Sequence, residues 1–247
     1  MFLKHIPFYG VLAKIQRPDV LPYLPKLIPF LQKHHVQKIA LEPTMNTNPD
    51  TFRTYQKSLS KFFAIYKESF LPTKTILVDL TLPEEQMFQK LTEAKRRAVR
   101  KAIKLDVTVK ESNSINDLLD IKNKSAGMFG GITTHGIDKL WKLLYPEHAT
   151  ILLAYHHTDI VGGILLLFHE QIAYYWIAGA LKKGKKLFAP TLLVWEALKL
   201  SKKRGCKHFD FVGVFDERQS KQFTSWKGFT KFKEGFGGKE MYYPLAS

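Results

Sequence analysis

A lysine set between a phenylalanine and a glycine run is the residue of this sequence best equipped for chemistry. Lys231 to Gly238 reads KFKEGFGG, with Lys233 directly after Phe232 and ahead of Gly235, Phe236, Gly237 and Gly238. An aromatic shelf and a pliable backbone would bring its ammonium to a centre where negative charge develops, as it does in acyl transfer. Asp210 interrupts an otherwise apolar strand, and a buried carboxylate must find hydrogen bonds or a cation. Lys233 is its expected partner, in an ion pair that serves either structure or catalysis. A second group of cations, Lys182, Lys183, Lys185 and Lys186 around Gly184, lies between a strand and a helix N-terminus. Free N–H groups and the helix dipole favour a phosphate there, and a solvated lysine turn is the competing reading. A third group, Lys95, Arg96, Arg97, Arg100, Lys101 and Lys104, exceeds what completing a helix C-terminus requires. It is a candidate face for an RNA backbone, against the alternative of an amphipathic structural helix. Trp195 and Glu196 fall in mid-helix, where a tryptophan ordinarily packs and a glutamate faces water. The pairs His34-His35 and His156-His157 are adjacent rather than spaced as zinc ligands, so no metal site is expected. No G-x-S-x-G elbow, Walker A or Rossmann glycine pattern occurs, which disfavours a hydrolase or a nucleotide kinase.

Periodicity lays out the elements that must hold these groups. Pro7, Pro18, Pro22, Pro25 and Pro29 punctuate a strand, a turn and a helix running toward His35. Val36 to Leu41 reads as a strand, Glu42 to Asn48 as a turn, Asp50 to Ser58 as a short helix, and Lys61 to Lys67 and Thr75 to Leu80 as further strands. Thr81 with Glu84 has capping-box spacing and opens a helix that the periodicity carries to Leu105. A strand-and-helix unit spans Val107 to Lys124, and a glycine-rich loop, Gly127 to Gly136, leads into a helix over Asp138 to Leu144. Three strands joined by tight turns follow, Ile151 to His156, Ile160 to Phe168 and Ile172 to Gly179, as an antiparallel meander. A loop from Lys182 to Phe188 enters a helix over Pro190 to Lys203, with proline where a helix tolerates it, and His208 to Val212 makes the next strand. Meander, basic loop, helix, strand is the core order of the GNAT acyltransferase fold, so the class is α+β. The expected seam between two halves lies near Lys104 to Lys110.

The chain of 247 residues, 45% of them hydrophobic, is long enough for one large domain or two modest ones. Its 38 Lys and Arg against 22 Asp and Glu give a net charge of +16. This favours polyanionic partners such as RNA, nucleotides or acidic membranes. No apolar run is long enough to span a bilayer, and Met1 to Val11 lacks the pattern of a secretory signal. The single cysteine, Cys206, lies in a segment read as a buried strand, Gly205 to Gly213, and fits a packed thiol in a reducing cytoplasm.

Five segments in order, PTKTILVDL (Pro72 to Leu80), AKRRAVRKA (Ala94 to Ala102), LLVWEA (Leu192 to Ala197), GCKHFDFVGV (Gly205 to Val214) and FKEGFGG (Phe232 to Gly238), resemble the FemA/FemB/FemX family of peptidoglycan bridge-forming aminoacyltransferases. The resemblance implies two tandem GNAT-like subdomains. Its expected divisions are a partial N-terminal subdomain over residues 1–105, a C-terminal one over 106–238, and a final strand over 239–247 returning to the first. The stretch Ile6 to Leu12 looks like a family segment that follows several N-terminal strands, which is why the first subdomain reads as incomplete. The helical arm that some members insert is absent. The resemblance further implies aminoacyl-tRNA as donor, no cofactor, a cytoplasmic location, and lipid II or a UDP-linked muropeptide as acceptor, with peripheral membrane-surface contact through lipid II. Lys233 matches the family lysine that steadies the charge developing in acyl transfer. Asp210, Gly213, Phe232, Phe236, Gly237, Trp195 and Glu196 match motif positions. The helix and loop around Asn123 to His135 resemble a family segment that often carries arginine or aromatic contacts to the precursor, with Lys124 or His135 as the substitute. The glycine-and-lysine segment at Lys182 to Lys186 is only a loose echo of the R/Q-x-x-G-x-G/A of acetyl-CoA enzymes. An acyl-CoA-dependent N-acyltransferase is therefore the second reading, and an inactive RNA- or muropeptide-binding module the third.

Overall fold

The structure, a computed structural model, describes residues 1–7, 10–126, 135–219 and 224–245. The chain divides into two compact units. The first comprises 1–75 with the described parts of 215–223 and 240–247, and the second 76–214 with 224–239.

In the first unit, strands β1 (Phe2–Ile6), β2 (Gly10–Gln16), β3 (Val36–Glu42) and β4 (Ala64–Ile65) form a sheet in that order. β1 pairs antiparallel with β2, and the remaining pairs are parallel. Helix α1 (Leu24–Lys33) carries Pro25 in its first turn, where a missing N–H leaves no bond unmade. Helix α2 (Pro49–Leu59) is capped by the Asn48 side chain, which accepts from Asp50 N and Thr51 N at 2.9 and 3.0 Å. The core joins Ile15, Leu31, Ile39, Leu41, Phe52 and Leu59. The strand expected over Lys61 to Lys67 shrinks to two residues. Phe63 turns into the core, and only Ala64 and Ile65 pair, with Lys38 and Ile39.

The second sheet has the order β11 (Lys239–Tyr242), β5 (Lys74–Asp79), β10 (His208–Asp210), β9 (Ile172–Ala180), β8 (Asp159–His169), β7 (Ala149–His156), β6 (Val107–Ser112). β6 to β9 form the antiparallel meander. A short helix α7 (Lys182–Lys186) and the long helix α8 (Ala189–Lys203) then lead to β10, which lies parallel to β9. This is the GNAT-like order of meander, basic segment, helix and strand. Helices α3 (Glu84–Lys90), α4 (Glu93–Lys104), α5 (Ile115–Ala126), α6 (Ile137–Leu144) and α9 (Lys227–Glu234) complete the unit.

The division near residue 75 differs from the seam expected at Lys104 to Lys110. Ile76, Val78, Leu80, Met87, Leu91, Val99 and Ala102 all enter one core with the meander and α8, so these elements cannot separate from it. The single helix expected from Thr81 to Leu105 is two helices. Leu91 and Thr92 are extended between them, and Thr92 N donates to Gly235 O at 2.9 Å. Thr81 does not cap α3: its N–H and hydroxyl both donate to Asp79 Oδ1, at 2.8 and 2.6 Å. β10 stops at Asp210, two residues short of expectation, because Val212 turns into the left-handed region at φ 64°. Among the described residues no helix is long and apolar enough to cross a membrane.

Candidate active site

Lys233 stands on α9 with only 8% of its surface exposed. Its ammonium donates to Phe211 O at 2.8 Å and to Gly213 O at 2.6 Å. The rings of Phe229, Tyr175 and Phe211 surround it, with centroids 4.9, 5.6 and 5.9 Å from Nζ. Burial pushes its pKa down from 10.5 to about 8, and the Asp210 carboxylate pulls it part of the way back. Lys233 is therefore mostly charged at neutral pH.

The two carbonyls belong to the turn that follows β10. Val212, a β-branched residue at φ 64°, is strained there by about 1–2 kcal/mol. Two side chains hold the turn: Asp210 Oδ1 accepts from Val212 N at 2.6 Å, and Lys233 ties the carbonyls on either side. Asp210 and Lys233 thus act on the same loop, coupled by charge and through its backbone. Gly213 supplies one of the carbonyls.

The aromatic shelf of Lys233 is not Phe232. That ring lies under the ammonium of Lys95, 3.6 Å away, with Phe236 at 4.9 Å. Burial lowers the Lys95 pKa from 10.5 to about 8. Phe236 is fully buried against Phe211. The motif glycines are set by close approach. Gly237 has φ 77°, and a Cβ there would stand 2.4 Å from Lys90 O; one on Gly238 would stand 2.4 Å from Ile76 Cγ2.

A cavity of about 460 Å³ opens beside this cluster. Tyr175, Ala178 and Ala180 of β9, Phe188 and Thr191 at the start of α8, and Phe232 are among its lining residues. Cations attend it: Lys185 is in the lining, Lys95 covers Phe232, and Lys101 lies 5.0 Å from the ring of Phe188. Lys233 is not in the lining itself and sits next to Tyr175, which is. Tyr175 had no sequence signal, because aromatic residues are ordinary in strands.

The other expected residues are dispersed. Trp195 is buried core, edge-on to Phe88 at 5.0 Å. Glu196 pairs with Lys199 at 2.8 Å and lines a separate groove with Glu84 and Glu111. Lys182 to Lys186 form a helical turn rather than an open loop. Within it Lys183 pairs with Asp159 at 2.6 Å, while Lys182, Lys185 and Lys186 are exposed. On α4 the six cations part company. Lys95 is engaged with its rings, and Arg96 donates to the carbonyls of Gln89 and Leu91, closing the break before the helix. Arg97, Arg100, Lys101 and Lys104, at i, i+3, i+4 and i+7, share one exposed stripe, with Arg97 3.6 Å from Glu93. Lys124 pairs with Asp120 at 2.6 Å, His135 is exposed, and residues 127–134 of the expected glycine-rich loop lie outside the described residues. Cys206 is buried, and burial pushes its thiol pKa up, as for a packed group. Among the described residues no three His, Cys, Asp or Glu side chains gather as they would around a metal ion.

No curated protein matches the chain in sequence. In fold it is similar to FemX, with a TM-score of 0.74 at 13% identity over 98% of this chain and 81% of that one. It is also similar to L-PGS from Bacillus licheniformis, with a TM-score of 0.60 at 15% identity over 94% of this chain and 76% of that one. At these identities the likeness is one of fold. In sequence, residues 145–243, which carry β7 to β9, the turn after Asp210 and the Lys233 motif, match the model of the FemAB family. Over these residues the chain is similar to the FemAB family, and its fold is similar to that of FemX.

Proposed function

We propose that this chain is an acyltransferase of the FemAB type, which moves an amino acid from an aminoacyl-tRNA to the stem-peptide amine of a peptidoglycan precursor. The observation that carries the reading is the buried ammonium of Lys233, held by two backbone carbonyls next to the wall of a cavity that further cations surround. An aminoacyl ester is already activated, so positioning and charge stabilisation suffice and no triad is required. The amine lone pair forms the C–N bond and the carbonyl π pair moves to oxygen. The pair then returns as the bond to the ribose oxygen breaks, and that oxygen takes the proton the amine gives up. Lys233 lowers the energy of the anionic oxygen in this sequence: its charge is preorganised and poorly solvated, so its field on a nearby anion is strong. The exposed stripe of Arg97, Arg100, Lys101 and Lys104 suits a nucleic-acid backbone, and Lys185 and Lys95 suit the phosphates closest to the ester.

The test is mass spectrometry of a UDP-linked muropeptide, and separately of lipid II, after incubation with the protein and mixed charged tRNAs. The expected outcome is one added amino-acid residue on one of the acceptors. Lys233→Met should reduce that turnover by about 100-fold while remaining folded. Product formed with acetyl-CoA in place of charged tRNA would instead select the acyl-CoA reading.

A further inference from the structure

The cavity wall carries a polar group that the sequence motifs do not. Register between β8 and β9 runs Leu165 to Ile177 and then Leu166 to Tyr175, so Trp176 is an extra residue in β9. One extra residue reverses the alternation of side chains along a strand. Tyr175 consequently shares the cavity face with Ala178 and Ala180, whereas Tyr174 and Trp176 line a different groove with Leu167 and His169. Tyr175 is flanked by Phe209 and Phe211, with centroids at 6.3 and 5.5 Å, and the Lys233 ammonium lies 5.6 Å from its ring. Among the described residues no group is hydrogen-bonded to its hydroxyl. Tyr175 is half-buried in the cavity wall, and a phenol there without a protein partner can donate to a bound ligand. Of the other polar lining, Ser125 already donates to Lys122 O at 2.9 Å, Lys185 is exposed, and Thr191 stands apart from the Lys233 rings at the start of α8.

We propose that Tyr175 is a catalytic residue whose hydroxyl donates a hydrogen bond to the ester carbonyl oxygen as the attacking amine turns that oxygen into an anion. The inference rests on the aminoacyl-transfer reading and adds to it the group that touches the reacting atoms. The phenol keeps its proton throughout; the proton that moves is the amine's, which passes to the ribose oxygen. Burial raises the Tyr175 pKa well above 10, so the donor stays loaded across the working pH range. Lys233 next to the ring adds a positive field that strengthens the same donor.

Tyr175→Phe keeps the ring and its packing and removes only the hydroxyl. In the muropeptide assay its kcat should fall about 100-fold, as for loss of one oxyanion donor, with KM within about twofold and the melting temperature unchanged. A variant with wild-type kcat, or with its whole defect in KM, would overturn the assignment while leaving the aminoacyl-transfer reading intact. A wild-type protein that transfers no amino acid to either acceptor would overturn that reading and this inference with it.

Discussion

Replacing Lys233 by methionine should change the pH dependence of stability in a way set by the burial of its ammonium. The folded pKa is about 8, against 10.5 for the free side chain, with burial as the main cause and Asp210 opposing it. Between these values the unfolded chain holds a proton that the folded one has lost, so unfolding takes up protons and stability rises with pH. Below about pH 8 both states are charged, and above about 10.5 both are neutral, so the contribution is flat outside the window. The difference between the two pKa values corresponds to roughly 3 kcal/mol. Lys233→Met lacks this term, and the other titrating groups cancel in the comparison. Denaturant unfolding of both proteins from pH 7 to 10.5 should show wild type gaining about 3 kcal/mol on the variant as pH rises. At pH 7 the comparison is closer, because methionine avoids the cost of a buried charge but leaves the carbonyls of Phe211 and Gly213 without their donor. A stability difference that does not move across the window would refute the claim that the ammonium is desolvated. The case for it as a strong local charge would fall with that claim.

Two further outcomes follow from the packing around the site. Gly237→Ala should destabilise the second unit by about 2–4 kcal/mol, since it adds strain at φ 77° to a clash with Lys90 O; thermal unfolding within about 2 °C of wild type would sink this account of the motif glycine. Neutralising Arg97, Arg100, Lys101 and Lys104 together with glutamine should reduce the slope of log affinity for tRNA against log salt by roughly 3. An unchanged slope in filter binding would remove the stripe from the RNA contact.

What the sequence revealed was local. The meander, α5, α8 and the alternating strands follow from hydrophobic periods that tertiary contacts did not alter. Lys233 was legible because its motif is compact. The failures involve both distant partners and local ones such as Asp79, which takes both donors of Thr81. The periodicity from Thr81 to Leu105 runs unbroken through Leu91 and Thr92, and the chain opens there because Gly235 O accepts from Thr92 and Arg96 reaches back to two carbonyls. Lys95 and Arg96 read as surface cations because nothing in a basic helix announces that Phe232 or a helix break will engage two of them. Tyr175 was invisible for a stricter reason. Its face depends on one extra residue in β9, and a bulge leaves no mark in composition.

The chemistry of the motif explains why a lysine stands at 233 rather than an arginine. The two carbonyls it ties lie on either side of Val212, at 2.8 and 2.6 Å from a single atom, and three rings surround that atom. A tetrahedral ammonium can serve both acceptors from one point and still direct its third N–H elsewhere. A planar guanidinium spreads its donors over a fork built for the parallel oxygens of a carboxylate or phosphate. The ammonium is also the smaller and more strongly hydrated ion, so burying it depresses the pKa while keeping the charge concentrated at one position. The turn at Val212, held by Asp210 below and Lys233 beside it, therefore fixes the location of that charge to within a hydrogen bond. Charge stabilisation of a transition state requires such fixity, because a cation that must reorganise during the reaction gives back much of its electrostatic advantage.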